Sequence, residues 1–237
     1  MISGRKAKHD GIESEVAVET DNVTLRGTLA LPSKVSGIVL FAHGSGSSRY
    51  SPRNCYVAQV LQSKGFGTLL FDLLTSKEES IDQYDASLRF DISFLARRLV
   101  GATECILRRP DIKALNVGYF GASTGAAAAL VAAAELTDTI AAVVSRGGRP
   151  DLAEGALASV RAPTLLIVGG NDVPVIAMNQ GALAKLRCPE KKLIVVPGAT
   201  HLFEEPGMLE EVARLAADWF AQHLTPRRPS QDPDIVG

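Results

Sequence analysis

The sequence is poor in most features that mark a specialised chain. Of 237 residues only three are cysteine, Cys55, Cys105 and Cys188. An odd, widely spaced set with no Cys-x-x-Cys pair excludes a disulfide framework and fits a reducing compartment. Neither sign of charge dominates: Lys plus Arg number 25, Asp plus Glu 26, and the formal net charge is -1. Without a basic face a chain cannot neutralise a phosphate backbone, so nucleic-acid binding is not its expected role. Long hydrophobic runs are also missing. The longest stretch of small apolar residues, Ala126 to Ala134, falls well short of the ~20 residues that span a bilayer. The first twenty residues begin basic but lack the apolar core of a secretory leader, and a cytoplasmic protein away from membranes is the expectation. Neither the G-x-x-x-x-G-K-[ST] order nor a G-x-G-x-x-G after a strand occurs, so no nucleotide cradle is read. The histidines have neither zinc-site spacing nor accompanying thiols, so no metal and no cofactor are expected.

What is present suits a globular enzyme. Hydrophobic residues make up 46% and charged residues 22% of the chain, enough for one large buried core. Residues 1–12 and 226–237, polar or rich in proline and charge, are expected to be flexible, leaving 13–225 as one domain. SEVAVET and VTLRGTLALP read as a starting hairpin around Asp21-Asn22. GIVLFAHG, GTLLFDLL, NVGYFGAS, IAAVVSRGG, PTLLIVGGND and KKLIVVPGATH follow as apolar runs that end in glycine or polar clusters, the pattern of strands buried on both faces. Helical spacing separates them: Leu88, Ile92, Leu95, Leu99 and Ile106 predict one helix from Tyr84 to Arg109, stopped by Pro110, and Met208, Val212, Leu215 and Trp219 predict a last helix. Such alternation predicts a mostly parallel sheet with helices on both faces. Ligands of open parallel sheets sit beyond the carboxyl ends of the strands. His43 to Ser48, Asp72, Ser123, Ser145 to Arg149, Asp172 and His201 all fall there.

Gly121-Ala122-Ser123-Thr124-Gly125 is a G-x-S-x-G sequence with a strand before it and an Ala-rich helix after it. A serine on so sharp a turn projects its hydroxyl above the sheet. The N–H groups of the following helix can receive negative charge. A serine hydroxyl needs a base, and the base an orienting acid. His9 lies in the polar start and His223 at the end of the last helix; His201, after the final strand, is placed to serve as base. Asp172, after the penultimate strand, is the favoured acid, with Asp72 and then Asp151 as alternatives. The chain order Ser123, Asp172, His201 is that of the α/β-hydrolase arrangement. The loop His43-Gly44-Ser45-Gly46-Ser47-Ser48 can aim the Ser45 backbone N–H at a developing oxyanion beside that of Thr124.

With HGSGSS, GASTG, GGND and GATH in this order, residues 13–225 resemble the dienelactone-hydrolase-like group of α/β-hydrolases. The resemblance implies an eight-stranded sheet with an antiparallel second strand, and a serine nucleophile acting through an acyl-enzyme. Dienelactone hydrolases proper carry cysteine at the elbow. Ser123 in its place shifts the expected substrates toward small soluble esters, thioesters and lactones. Lids in this fold usually enter after the sixth strand. The span between Val144 and Pro163 is too short for a helical cap, so an open, shallow site is expected, with the stretch from Asp72 to Tyr84 as one wall. Arg49, Arg53, Arg146 and Arg149 gather on the same rim, where they would either hold an anionic substrate by bidentate contacts or pair with acids such as Asp151 and Glu154. A non-catalytic binding or scaffold module stands as the alternative to a serine hydrolase, as does acyltransferase or haloperoxidase-like chemistry on the same residues.

Overall fold

The computed structural model describes residues 11–20, 22–153 and 155–224. Of the expected flexible ends, 1–10 and 226–237 lie outside them. The chain opens with an antiparallel hairpin of β1 (Gly11–Thr20) and β2 (Val23–Pro32), so Gly11 and Ile12 are strand rather than loose leader. Six more strands follow: β3 (Gly37–Ala42), β4 (Phe66–Phe71), β5 (Val117–Ala122), β6 (Ile140–Arg146), β7 (Thr164–Gly169) and β8 (Lys191–Val196). They form one eight-stranded sheet in the order β1-β2-β4-β3-β5-β6-β7-β8. β2 runs antiparallel to β4, and every pairing from β4 through β3 to β8 is parallel. This is the α/β-hydrolase architecture.

Every residue of β3, β4, β5 and β7 is buried, which is why these strands read as continuous apolar runs. Alternate residues enter two separate cores. Ile38 and Leu40 of β3 and Tyr119 of β5 face a core shared with α3 (Ile92–Leu107) and α4 (Thr124–Glu135). Val39, Phe41 and Phe120 face the other core, with α1 (Pro52–Ser63) and α6 (Met208–His223). The edge strand β8 begins with two exposed lysines, Lys191 and Lys192, a charge pattern that discourages further strand pairing.

The helix expected from Tyr84 to Arg109 is two helices. α2 (Ser76–Asp85) starts in a capping box, Thr75 with Glu78, and ends at Ala86 in the left-handed region at φ 53°. The break has a local cause. The buried Asp82 carboxylate accepts the N–H groups of Leu88 and Arg89 at 2.7 and 3.0 Å, which folds the chain back before Asp91 caps α3. The stretch from Asp72 to Tyr84, expected as one wall of the site, holds most of α2, which lines a cavity next to the one at Ser123. Between β6 and β7 the described residues form two short 3-10 turns, Pro150–Ala153 and Leu157–Ser159, and no cap helix. Among the described residues no helix is long and apolar enough to cross a membrane.

One polar contact crosses the core beneath β5. Thr103 of α3 donates to the Leu99 carbonyl at 2.8 Å, so the fully buried Tyr119 hydroxyl must donate to Thr103 Oγ1, at 2.6 Å. Tyr119→Phe leaves Thr103 satisfied and removes a single neutral hydrogen bond. It is expected to lower unfolding free energy by about 1 kcal/mol in urea titrations. No loss at all would mean that the pair adds nothing to the packing between sheet and helix.

Candidate active site

Ser123 occupies the turn between β5 and α4 at φ 52° and ψ -122°, a region that side-chain-bearing residues avoid and hold only when their surroundings impose it. The surroundings are visible. A side chain at Gly125 would run into the carbonyl oxygens of Ala42 and His43, and one at Gly121 into the backbone of Ala126. α4 can therefore start hard against the ends of β3 and β5 only with glycine on either side of the serine. The end of β6 clamps the turn: Ser123 N–H donates to the Arg146 carbonyl at 3.2 Å, and Arg149 N–H to the Ser123 carbonyl at 3.1 Å.

Asp172 precedes α5 (Val173–Lys185) in the capping position, yet its side chain makes no cap hydrogen bond. Its carboxylate turns instead to His201, with Nδ1 at 2.6 Å from Oδ2. A carboxylate partner keeps the ring proton on Nδ1 and leaves Nε2 as the accepting nitrogen. The loop that carries His201 is tied at several points. Thr200 N–H donates to the Glu205 carboxylate at 3.1 and 3.2 Å; the Thr200 side chain first, then the Glu205 and Thr200 backbone N–H groups, hold that carboxyl below its ordinary pKa. Asn171 donates its backbone N–H to the Ala199 carbonyl and its side-chain amide to that of Gly198, each at 2.9 Å. Phe203, buried at φ 56°, anchors the far end. Gly147, also at positive φ, lies beneath the imidazole where a side chain would crowd it. Glu205, Asn171 and Gly147 carry no signature in the sequence, because each acts through backbone geometry that spacing does not reveal.

Ser123 and His201 line one cavity of about 250 Å³ together with Ser45, Arg53, Asn54 and Arg146. A second cavity of about 270 Å³ lies on the other side of the 43–48 loop, walled by Glu79, Asp82 and Gln83 of α2 and by Leu73, Leu74 and Leu95. The Ser45 N–H, expected to stand open for an oxyanion, donates to the Thr124 hydroxyl at 2.9 Å. The Thr124 N–H is the first of α4, out of reach of the helix's own carbonyls.

The arginine rim divides. Arg53 and Arg146 line the cavity. Arg49 does not: its guanidinium is held by Asp72 and Glu15 beside the β1–β2 hairpin. Arg149 grips Asp151 at 2.7 to 3.2 Å. Of the two roles expected for them, substrate contact or pairing with acids, both take the second: Asp72 and Glu15 hold Arg49, and Asp151 holds Arg149. The same contacts commit Asp72 and Asp151, the two alternative acids, to arginines. Among the described residues no group of three or more potential ligands is placed to hold a metal ion.

His43 is committed on both ring nitrogens, accepting the Leu73 N–H at Nε2 and contacting the Gly44 carbonyl through Nδ1, each at 3.0 Å. Burial pushes its pKa below 6.5, against a smaller opposing pull from the Gly44 carbonyl and Asp72. The unfolded chain therefore binds a proton near pH 6.5 that the folded one refuses. Stability from this residue is complete above that pH and falls as the pH drops through it, by at most about 1.4 kcal/mol per pH unit. Urea midpoints measured from pH 7.5 to 5 should show this slope in the wild type, reduced in His43→Gln. Equal slopes would place the acid sensitivity elsewhere.

Comparison with known proteins identifies the family of this fold. The family model of the dienelactone hydrolase family matches residues 25–224. A crystal structure of dienelactone hydrolase from Anabaena variabilis superposes with a TM-score of 0.89 at 61% identity, covering 91% of this chain and all of that one. Est1E from Butyrivibrio proteoclasticus shares the fold at 15% identity, with a TM-score of 0.73 over 88% of this chain and 98% of its own. A Mycobacterium tuberculosis protein named "Putative phosphoribosyl transferase" is 58% identical over 219 residues, 92% of this chain and 48% of that protein. The chain thus spans about half the length of the curated relatives of that name. With a family model matched over most of its length and a 61% identical structure covered from end to end, the chain belongs to the dienelactone hydrolase family.

Proposed function

We propose that this protein is a cofactor-free serine hydrolase of small soluble carboxylic esters, thioesters or lactones, working through an acyl-enzyme on Ser123, His201 and Asp172. The observation that carries the reading is the strained Ser123 opening into the same cavity as His201, whose other nitrogen is 2.6 Å from Asp172. In this mechanism His201 Nε2 takes the Ser123 hydroxyl proton as Oγ attacks the acyl carbon. The C–O or C–S bond breaks and the same proton passes to the leaving group. Water then repeats the sequence, its oxygen going to the acyl carbon and one proton returning to Ser123. Asp172 holds the imidazole in the productive tautomer and balances the imidazolium.

The oxyanion forms where the N–H groups of Ser45 and Thr124 meet. The Thr124 hydroxyl now occupies the Ser45 N–H, and in the reaction the oxyanion displaces it, so that the corner stays satisfied before substrate enters. The absence of a cap between β6 and β7 favours short acyl groups over long lipid chains. A cytoplasmic setting, with Cys55, Cys105 and Cys188 all unpaired, is part of the same proposal. The mycobacterial relatives named for phosphoribosyl transfer are about twice as long. The elbow and the Asp172–His201 pair belong to acyl chemistry, so the name is not carried across.

Two substitutions test the proposal. Ser123→Ala should abolish turnover of a short 4-nitrophenyl ester with the melting temperature preserved. Asp172→Asn should lower kcat by about three to four orders of magnitude by releasing the ring tautomer. A Ser123→Ala protein that keeps its rate would remove Ser123 as nucleophile.

A further inference from the structure

Three arginines are buried among the described residues, Arg49, Arg98 and Arg146. Two have carboxylate partners. Arg49 pairs with Asp72 and Glu15. Arg98, 3% exposed, bonds Glu78 at 2.6 Å and lies 4.7 Å over the ring of Phe94. Arg146, 7% exposed, has no ion pair among the described residues, and its Nε has no hydrogen-bond partner. A buried cation left alone is strongly disfavoured, so a fold that keeps one beside its nucleophile has a use for an anion there.

The surroundings narrow that anion. Arg146 stands at the end of β6, paired in register with Ala122, the residue before Ser123, and its side chain lines the cavity that Ser123 and His201 open into. Arg53 lines the same cavity, and its Nε is likewise without a partner. Its Nη1 is held at 3.0 Å by Glu204, a largely exposed carboxylate. The two guanidiniums repel. Burial and then this repulsion lower the Arg146 pKa to about 10, and it stays cationic at neutral pH. Asp172, the nearby acid of the site, is committed to His201. In both arginines the Nε is buried without a hydrogen-bond partner, and guanidinium groups make charge-assisted, often bidentate bonds to planar or tetrahedral oxyanions. The Asn54 Oδ1, buried in the same cavity, also lacks a partner and can accept a hydroxyl proton.

We propose that the cavity beside Ser123 seats a phosphoryl group carried by the ester substrate, bound by Arg146 and Arg53, with Asn54 accepting a neighbouring substrate or phosphate hydroxyl. The inference rests on the hydrolase reading above. A phosphoryl group has three terminal oxygens, enough to meet both guanidiniums and, as the monoanion, to give a hydroxyl to Asn54, whereas a carboxylate has two oxygens and no hydroxyl. The phosphoryl group is a handle only. The acyl bond breaks, water supplies hydroxyl to the acyl carbon and a proton to the leaving oxygen, and every P–O bond is left intact.

The test compares 4-nitrophenyl esters of butyrate, succinate and 3-phosphonopropanoate, with inorganic phosphate titrated calorimetrically into the Ser123→Ala protein. The expected result is a kcat/KM for the phosphonate ester at least about tenfold above both others, the factor one charge-assisted contact supplies. That ratio should fall toward one in Arg146→Met and in Arg53→Gln. Phosphate should bind Ser123→Ala and bind at least about tenfold more weakly once either arginine is also replaced. Arg53, partly exposed, carries the comparison if Arg146→Met does not fold. Equal rates on the three esters, a preference for succinate, or ratios unmoved by both substitutions would overturn the phosphoryl site. If instead no ester is turned over, or turnover survives Ser123→Ala, the hydrolase reading fails. The phosphate titration then judges the anion site alone, and no binding overturns it.

Discussion

The site depends on one close backbone approach, that of α4 to the end of β3. Because Gly125 lets the helix start against the carbonyls of Ala42 and His43, Ser123 is driven into a conformation that serine does not choose. Its hydroxyl then stands clear of the sheet. The strain is held in place by what surrounds it: fully buried β5 on one side, nine buried residues of α4 on the other, and the end of β6 with the loop after it bonded to both polar atoms of the Ser123 backbone. The remaining members of the site are attached more loosely. They arrive on loops after β3, β7 and β8, each fastened by backbone N–H groups given to carbonyls, carboxylates or, for His43, a ring nitrogen.

This division explains what could be read from the sequence. Strands buried on both faces leave unbroken apolar runs, and an elbow needs small residues at fixed positions, so the sheet, its order of chemistry-bearing loops and the stretch around Ser123 are all legible. Asp172 and His201 are legible as loop residues of the right type. Their 2.6 Å approach requires two loops 29 residues apart in sequence to converge, and nothing local states that distance. Partner choice is the weakest part of any such reading. Arg49, Arg53, Arg146 and Arg149 look alike in sequence, and only packing reveals that Asp72, Glu15 and Asp151 claim two of them. The break at Ala86 was hidden for a related reason. Leu88, Ile92 and Leu95 keep helical spacing across it, while the interruption comes from Asp82 capturing two N–H groups downstream.

Charge is distributed with the same economy. Acids near the sheet's carboxyl end are committed: Asp72 to Arg49, Asp82 to Arg89, Asp151 to Arg149 and Asp172 to His201. His43, the first residue of the 43–48 loop, is kept neutral by burial and held as a strut by the Leu73 N–H. What is left open is positive. The cavity at Ser123 combines the N-terminus of α4 with two guanidiniums that lack full partners, a field that favours negative charge there.

The most direct measurement is to treat the protein with a fluorophosphonate, digest it, and locate the adduct by peptide mass spectrometry. Attachment at Ser123, slowed in step with loss of the His201 imidazole in His201→Ala, is the expected result. An adduct on another serine or a cysteine, or labelling of Ser123 at an undiminished rate without His201, would contradict a nucleophile activated by the imidazole that Asp172 holds.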